Sequence, residues 1–133
     1  DVNLLDRPEL GALAASVDTW GRHVSPEQAA AHPDVARFPY LGGAFELCAA
    51  PGASAEQAQA LANIHLFNWG STLSHGALAG DIPGLQIGAR RLSAGVARQF
   101  FVQDADWHWQ RLQALEEPEL LPTRWYLPPE QRR

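Results

Sequence analysis

The sequence predicts a helix-rich α+β chain with a few short strands. Three observations carry this. Apolar residues recur at three- and four-residue spacing over several stretches, which is one face of a helix. Two short runs, 44–48 and 64–68, have the length and flanking turn residues of strands. No Gly-x-Gly-x-x-Gly turn or P-loop is present, so a complete dinucleotide-binding Rossmann domain is excluded. The chain has 133 residues, 46% apolar and 19% charged, enough for one core and too few for two. The organisation expected is a single α+β segment over 1–115 followed by a tail over 116–133 that lies against a surface.

Leu10, Leu13, Ala14, Val17 and Trp20, with Pro8 near the start, predict a helix over roughly 8–22. Ser25-Pro26-Glu27-Gln28 is a capping-box arrangement that opens a short helix, stopped by Pro33 and ending at His32. Phe38 to Gly43 is a turn by composition, and 44–48 alternates weakly, as a strand would. Ser54 and Gln57 repeat the capping spacing ahead of an Ala-rich helix ending at Ala62, and Ile64 to Asn68 reads as a strand.

From Trp69 to Pro83 periodicity is lost, and a loop of this length inside a compact domain is more often functional than ornamental. From Gly84 the pattern is helical, with Leu85, Ala89, Leu92, Val96 and Phe100 on one face and Gly88 and Gly95 allowing a neighbouring backbone to approach. Asp104 to Leu115 is helical again, as one helix with the preceding stretch or as a second. The tail holds Pro118, Pro122, Pro128 and Pro129 with Trp125-Tyr126, too proline-rich for regular structure and too aromatic for a linker.

Ten Arg against fifteen acidic residues give a net charge of −5, which argues against nucleic acid or an anionic membrane as partner. The single Cys48 excludes an internal disulfide and a four-Cys zinc site, and suits a reducing, cytoplasmic setting. No run of about 18 apolar residues suggests a membrane span. The chain contains no Met, so it is expected to be a processed product or a piece of a longer polypeptide.

The five His lie at 23, 32, 65, 75 and 108, never at the spacing of a metal-binding pair on one helix face. Ser74-His75 lacks the Gly-x-Ser-x-Gly elbow of a hydrolase, and Cys48 lies in strand-like surroundings that predict a buried, inert thiol. The run Glu116-Glu117-Pro118-Glu119 reads as a solvated turn. What remains is a strand at 64–68, a glycine-punctuated loop and a long helix whose first amides are available to an anion or an electron-rich heteroatom.

The order Asn63-Ile64-His65-Leu66-Phe67-Asn68, Ser74-His75-Gly76, Leu78, Asp81, Leu85 and Arg90 or Arg91 resembles the C-terminal part of the flavin-dependent N-hydroxylating monooxygenases. These are the ornithine and lysine hydroxylases of siderophore biosynthesis, with related FAD/NAD(P)-dependent oxidoreductases. The matching core covers roughly 63–101. The resemblance implies the C-terminal segment of a flavoprotein with two dinucleotide-binding domains, completing its FAD-binding domain. It implies FAD and NADPH as cofactors, an amine substrate, and an N-terminal FAD/NADPH-binding part or chain without which this segment is inactive. Ser74, His75, Gly76, Asp81, Gly84 and Leu85 would then line the flavin, with His75 and Gly76 as its wall, Asp81 as helix cap, and the amides of Gly84 and Leu85 facing the ring. No catalytic residue is assigned. Two other readings stand beside it: a non-enzymatic helical interaction module, and a metal site assembled from His65, His75 and His108.

Overall fold

The computed structural model describes residues 4–115. The chain divides into two compact units, Asp1–Gln99 and Phe100–Arg133, so the segment expected over 1–115 spans a unit boundary. The tail expected over 116–133 lies outside the described residues.

In the first unit, the stretch expected as one helix over 8–22 sends its apolar side chains inward but does not form an α-helix. Leu10 and Val17 are buried, and Leu13 and Ala14 pack beside them. The backbone instead makes short 3-10 turns at Leu4–Asp6, Gly11–Ser16 and Trp20–Arg22. Between the last two it runs extended, with Val17 at φ −74°, ψ 133° and Thr19 at φ −131°, ψ 154°. Two β-branched residues flanking Asp18 favour this conformation, and tertiary pairing fixes it. The Asp18 amide donates to Cys48 O at 2.8 Å, and the Asp18 carbonyl accepts from Tyr40 N at 2.9 Å. On either side, Ala50 N donates to Ser16 O and Trp20 N to Phe38 O.

Helix α1 (Pro26–Ala31) is opened by Ser25, whose Oγ accepts from Gln28 N while Gln28 Oε1 accepts from Ser25 N, the reciprocal cap expected from the spacing. Its C-cap is His32, as expected. Pro33 ends α1 but also begins α2 (Pro33–Ala36), because a proline at the first helical position lacks only an amide that would be unpaired there.

The two expected strands pair with each other, although neither becomes a continuous strand. Glu46 bridges His65 in antiparallel fashion, with Leu47 N donating to Ile64 O and Leu66 N to Phe45 O. Further antiparallel bridges join Val17 to Ala49, Thr19 to Pro39 and Leu41 to Leu47. This gives a minimal sheet of extended segments around Asp18. Helix α3 (Ala55–Ala62) carries the second expected capping box, Ser54 with Gln57, and packs against the 11–16 turn with Leu61 fully buried. The core consists of Leu10, Val17, Leu41, Leu47, Leu61 and Leu66.

The stretch expected as a loop over 69–83 is largely organised into short helices. A 3-10 turn (Trp69–Ser71) leads into α4 (Thr72–His75). Asn68 nucleates it by accepting from Gly70 N at 2.8 Å through its side chain and from the buried Ser71 Oγ through its carbonyl. Such local side-chain-to-backbone bonds have no hydrophobic period, which is why periodicity did not reveal them.

Helix α5 (Ile82–Gln103) follows, with Pro83 in its first turn. Its packed side follows the expected apolar face in part: Leu92 and Val96 are half-buried beside the buried Gly88, whereas Leu85, Ala89 and Phe100 are exposed. A Cβ at Gly84 would lie 2.6 Å from Ala77 O, one at Gly88 would run into Leu78 O, and one at Gly95 would meet the Ala44 Cβ. The close approach expected at Gly88 and Gly95 is therefore present, and Gly84 extends it.

In the second unit, the end of α5 turns at Asp104 into α6 (Ala105–Gln113), so the two helical stretches are separate helices. Phe101 stacks on His108 at 4.9 Å between ring centroids, and the Arg111 guanidinium lies over the Trp107 ring at 4.9 Å. None of residues 100–115 is buried. Among the described residues, no helix is long and apolar enough to cross a membrane.

Candidate functional site

Of the six expected site residues, Ser74 and His75 are half-buried and tie α4 to the segment 39–45 of the first unit. Ser74 Oγ accepts from Trp20 Nε1 at 3.1 Å and from Leu41 N at 3.2 Å, and lies 3.5 Å from Pro39 O. Three separate chain segments thus meet on one hydroxyl. Ser74→Ala leaves an indole N–H and a backbone N–H without their acceptor, and the expected loss is about 1–3 kcal/mol. Urea unfolding measures it, and a change within a few tenths would show that Ser74 is not the joint.

His75 bridges α5 and the hairpin that the Leu41–Leu47 bridge closes. A carbonyl only accepts, so the contact of 2.9 Å between Nε2 and Gly42 O assigns the ring proton to Nε2. Nδ1 then accepts from Arg91 Nη1 at 3.3 Å, and the ring lies tilted against Phe45 at 4.2 Å. Both nitrogens are engaged within the chain.

Gly76 ends α4 at φ 68°, ψ −152°, a region that only glycine populates readily. A Cβ there would meet nothing within 4 Å. The glycine is therefore required by the backbone angle and not by anything already crowding it. Gly76→Ala is expected to cost about 1–3 kcal/mol through strain alone, read as a lowered Tm with unchanged near-ultraviolet signal. An unchanged Tm would mean that the turn relaxes at no cost.

At the start of α5 the Asp81 carbonyl accepts from both Gly84 N and Leu85 N at 3.0 Å. These two amides, expected to face a ligand, are taken up inside the first turn, and Pro83 has none to offer. The start of α5 is thus a poor anion site, because little of its unpaired donor capacity remains. No helix amide donates to the exposed Asp81 carboxylate among the described residues, so Asp81 caps with its backbone carbonyl.

Sequence reasoning missed a second cluster. The buried Asp18 carboxylate receives His23 Nε2 at 2.7 Å, Thr19 N at 2.9 Å and Arg22 Nη1 at 3.4 Å. His23 stacks on Tyr40 at 3.9 Å, and Tyr40 meets the Trp20 edge at 5.0 Å. The cluster shares Trp20 with Ser74. It holds an imidazole oriented by a buried carboxylate, an arrangement able to present a fixed Nδ1 to a proton or a hydrogen-bond partner. The expected helix over 8–22 hid it, since residues 18 and 23 would fall about 140° apart around an α-helix. The only sequence signal is Val17-Asp18-Thr19, which reads better as extended.

Cys48 is half-buried in the sheet, and its thiol pKa is pushed up, first by burial and then by the Glu46 and Asp18 carboxylates. This fits the inert thiol expected there. Among the described residues, no group of three or more His, Cys, Asp or Glu side chains could hold a metal ion. His65 Nδ1 instead meets Ala44 O at 2.7 Å.

The chain is 33% identical over 98 residues to the FAD-dependent urate hydroxylase of Xanthomonas campestris pv. campestris, a match that covers 74% of this chain. It spans 20% of the length of that relative. The similarity relates this chain to a segment of a flavin-dependent oxidoreductase. The relative is named a urate hydroxylase, and the expected assignment to the ornithine and lysine N-hydroxylases is not what this match shows. No family model and no solved structure matches the chain.

Proposed function

We infer that this chain is a portion of an FAD-dependent hydroxylase that shapes and completes the enzyme rather than holding the cofactor by itself. The observation that carries this is the 33% identity over 98 residues to the urate hydroxylase. Two observations favour a cofactor held mainly by the rest of the enzyme. The glycine-rich turn is absent, and the Gly84 and Leu85 amides at the start of α5 are occupied by Asp81 O. FAD and a reduced nicotinamide cofactor such as NADPH would be held by the larger remainder of the enzyme.

In this reading Ser74 and His75 fix a rigid wall by holding α4, the hairpin and α5 together, and Gly76 leaves the surface beside them free of a side chain. The substrate class favoured is an oxidised purine such as urate, ahead of an amine, because the relative's name carries it. The test replaces the matched region of the Xanthomonas enzyme by this chain. A purified chimera that is yellow, holds FAD near one per chain and hydroxylates urate is the expected result. A folded chimera free of flavin would sink the reading in favour of a non-enzymatic interaction module.

A further inference from the structure

His23 is set apart from His65 and His75 by what holds its ring. Those two meet backbone carbonyls, whereas His23 Nε2 lies 2.7 Å from the carboxylate of Asp18, whose side chain is only 10% exposed. An ionised carboxylate only accepts, so the ring proton sits on Nε2 and the lone pair of the neutral ring falls on Nδ1. Among the described residues no hydrogen bond reaches Nδ1, and the side chain is 35% exposed. The plane of the ring is fixed as well, by stacking on Tyr40 at 3.9 Å with an interplanar angle of 19°. Arg22 Nη1 lies 3.4 Å from Asp18 Oδ1, so the carboxylate has its cation without requiring one from His23. Asp18 therefore holds a neutral imidazole in one tautomer and one orientation, which is what a base oriented by a third group needs. Trp20 links this cluster to α4, its ring 5.0 Å from Tyr40 and its Nε1 donating to Ser74 Oγ.

Resting on the flavin-dependent hydroxylase reading above for the class of ligand, we propose that His23 is a proton acceptor, taking at Nδ1 an N–H proton from a planar, acidic nitrogen heterocycle of the oxidised-purine kind. The proton passes from the ring nitrogen of the heterocycle to Nδ1, and the heterocycle is left as its anion. Asp18 balances the imidazolium that results, and no other bond changes. Two features favour this class over an aliphatic amine. The aromatic rings of His23, Tyr40 and Trp20 suit a flat heterocycle. An amine would arrive already protonated, bringing a second cation beside Arg22 and offering no acidic N–H at neutral pH.

The experiment uses the full chain and diethyl pyrocarbonate, which acylates unprotonated imidazole nitrogen, with the modified histidines identified by peptide mass spectrometry. The exposed His32 is the internal reference. His23 is expected to react about fivefold faster than His32, and Asp18→Asn to bring it down to the His32 rate. An asparagine amide in place of Oδ2 would donate to Nε2, move the ring proton to Nδ1 and abolish the acceptor. Long-range proton–nitrogen spectra of the unaltered chain give a reading that needs no variant: the neutral His23 ring should carry its proton on Nε2, and a proton on Nδ1 overturns the proposal. Urate is the ligand probe, and tetramethylurate, the same ring system without an N–H, is its control. Urate should slow acylation of His23 by about threefold and leave that of His32 unchanged. Protection by both compounds alike or by neither overturns the proposal, as does equal labelling of His23 and His32. A yellow, flavin-loaded chimera alongside an unprotected His23 overturns the proton acceptor alone, whereas a flavin-free chimera removes the reading on which the ligand class rests, whatever the labelling shows.

Discussion

Phe45→Ala is expected to be among the most destabilising single substitutions in the first unit, by about 3–5 kcal/mol. Phe45 is fully buried, with its ring edge-on to Phe67 at 5.1 Å and tilted against His75 at 4.2 Å. It also has φ 68°, a left-handed backbone angle uncommon for a residue with a Cβ. The hairpin creates that angle: Phe45 N donates to Gly42 O, Gly42 N donates to Glu46 O, and the Glu46 carboxylate turns back to accept from Ala44 N. The resulting turn ends in a left-handed position normally given to glycine. Burial of the ring must exceed the strain. Alanine would keep the strained angle and lose the ring, whereas Phe45→Gly would lose the ring and release the strain. The glycine variant should therefore be the more stable of the two by about 1 kcal/mol. Urea unfolding of the three proteins decides this. If alanine costs less than 1 kcal/mol, Phe45 is not the anchor of the hairpin.

Gly88→Ala is expected to cost as much as a large core substitution, although it adds only a methyl group. The new Cβ would run into Leu78 O and lie 2.9 Å from Phe67 Cε2 and 3.0 Å from Leu78 C. Leu78 O belongs to the backbone and cannot rotate away, so α5 or the 77–81 turn must shift. Overpacking of this kind costs about 1–3 kcal/mol, with the upper end expected here. Gly95→Ala meets a different obstacle, the side-chain Cβ of Ala44, and Gly95→Ala/Ala44→Gly should recover part of the loss. No comparable rescue exists at Gly88. Thermal unfolding separates the cases, and equal Tm values for Gly88→Ala and the wild type would show that α5 is not seated against Leu78.

The contrast between α3 and residues 8–22 shows what was legible in the sequence and what was not. Ser54 and Gln57 meet within one turn, so their reciprocal cap is decided by residues three apart. The same holds for Ser25 and Gln28. By contrast, Leu10 and Val17 reach the core in an extended and 3-10 backbone as well as they would in a helix, so their spacing predicts burial but not conformation. What decides conformation there is Asp18, whose amide and carbonyl pair with Cys48 and Tyr40, residues 30 and 22 positions away. Similarly, Ser74, His75 and Gly76 were singled out by the resemblance to the N-hydroxylating monooxygenases. Their partners Trp20, Leu41, Gly42 and Arg91 come from distant stretches and could not be named in advance.

The sequence by itself determined the helix-rich character, the two capped helices, the pairing-prone runs at 44–48 and 64–68, and the glycines of α5 that leave room for a close approach. All of these depend on neighbours a few positions apart or on one residue's own backbone freedom. Only the tertiary structure decided that residues 16–20 are extended, that Asp18 orients His23, that the first-turn amides of α5 are already occupied, and that the large apolar side chains of 100–112 are exposed. Each of these is set by which distant groups come within hydrogen-bonding or van der Waals reach. A single sequence carries no signal for that, because the pairing energy of one buried carboxylate or one exposed ring is not visible until the chain has brought its partners, or left it none.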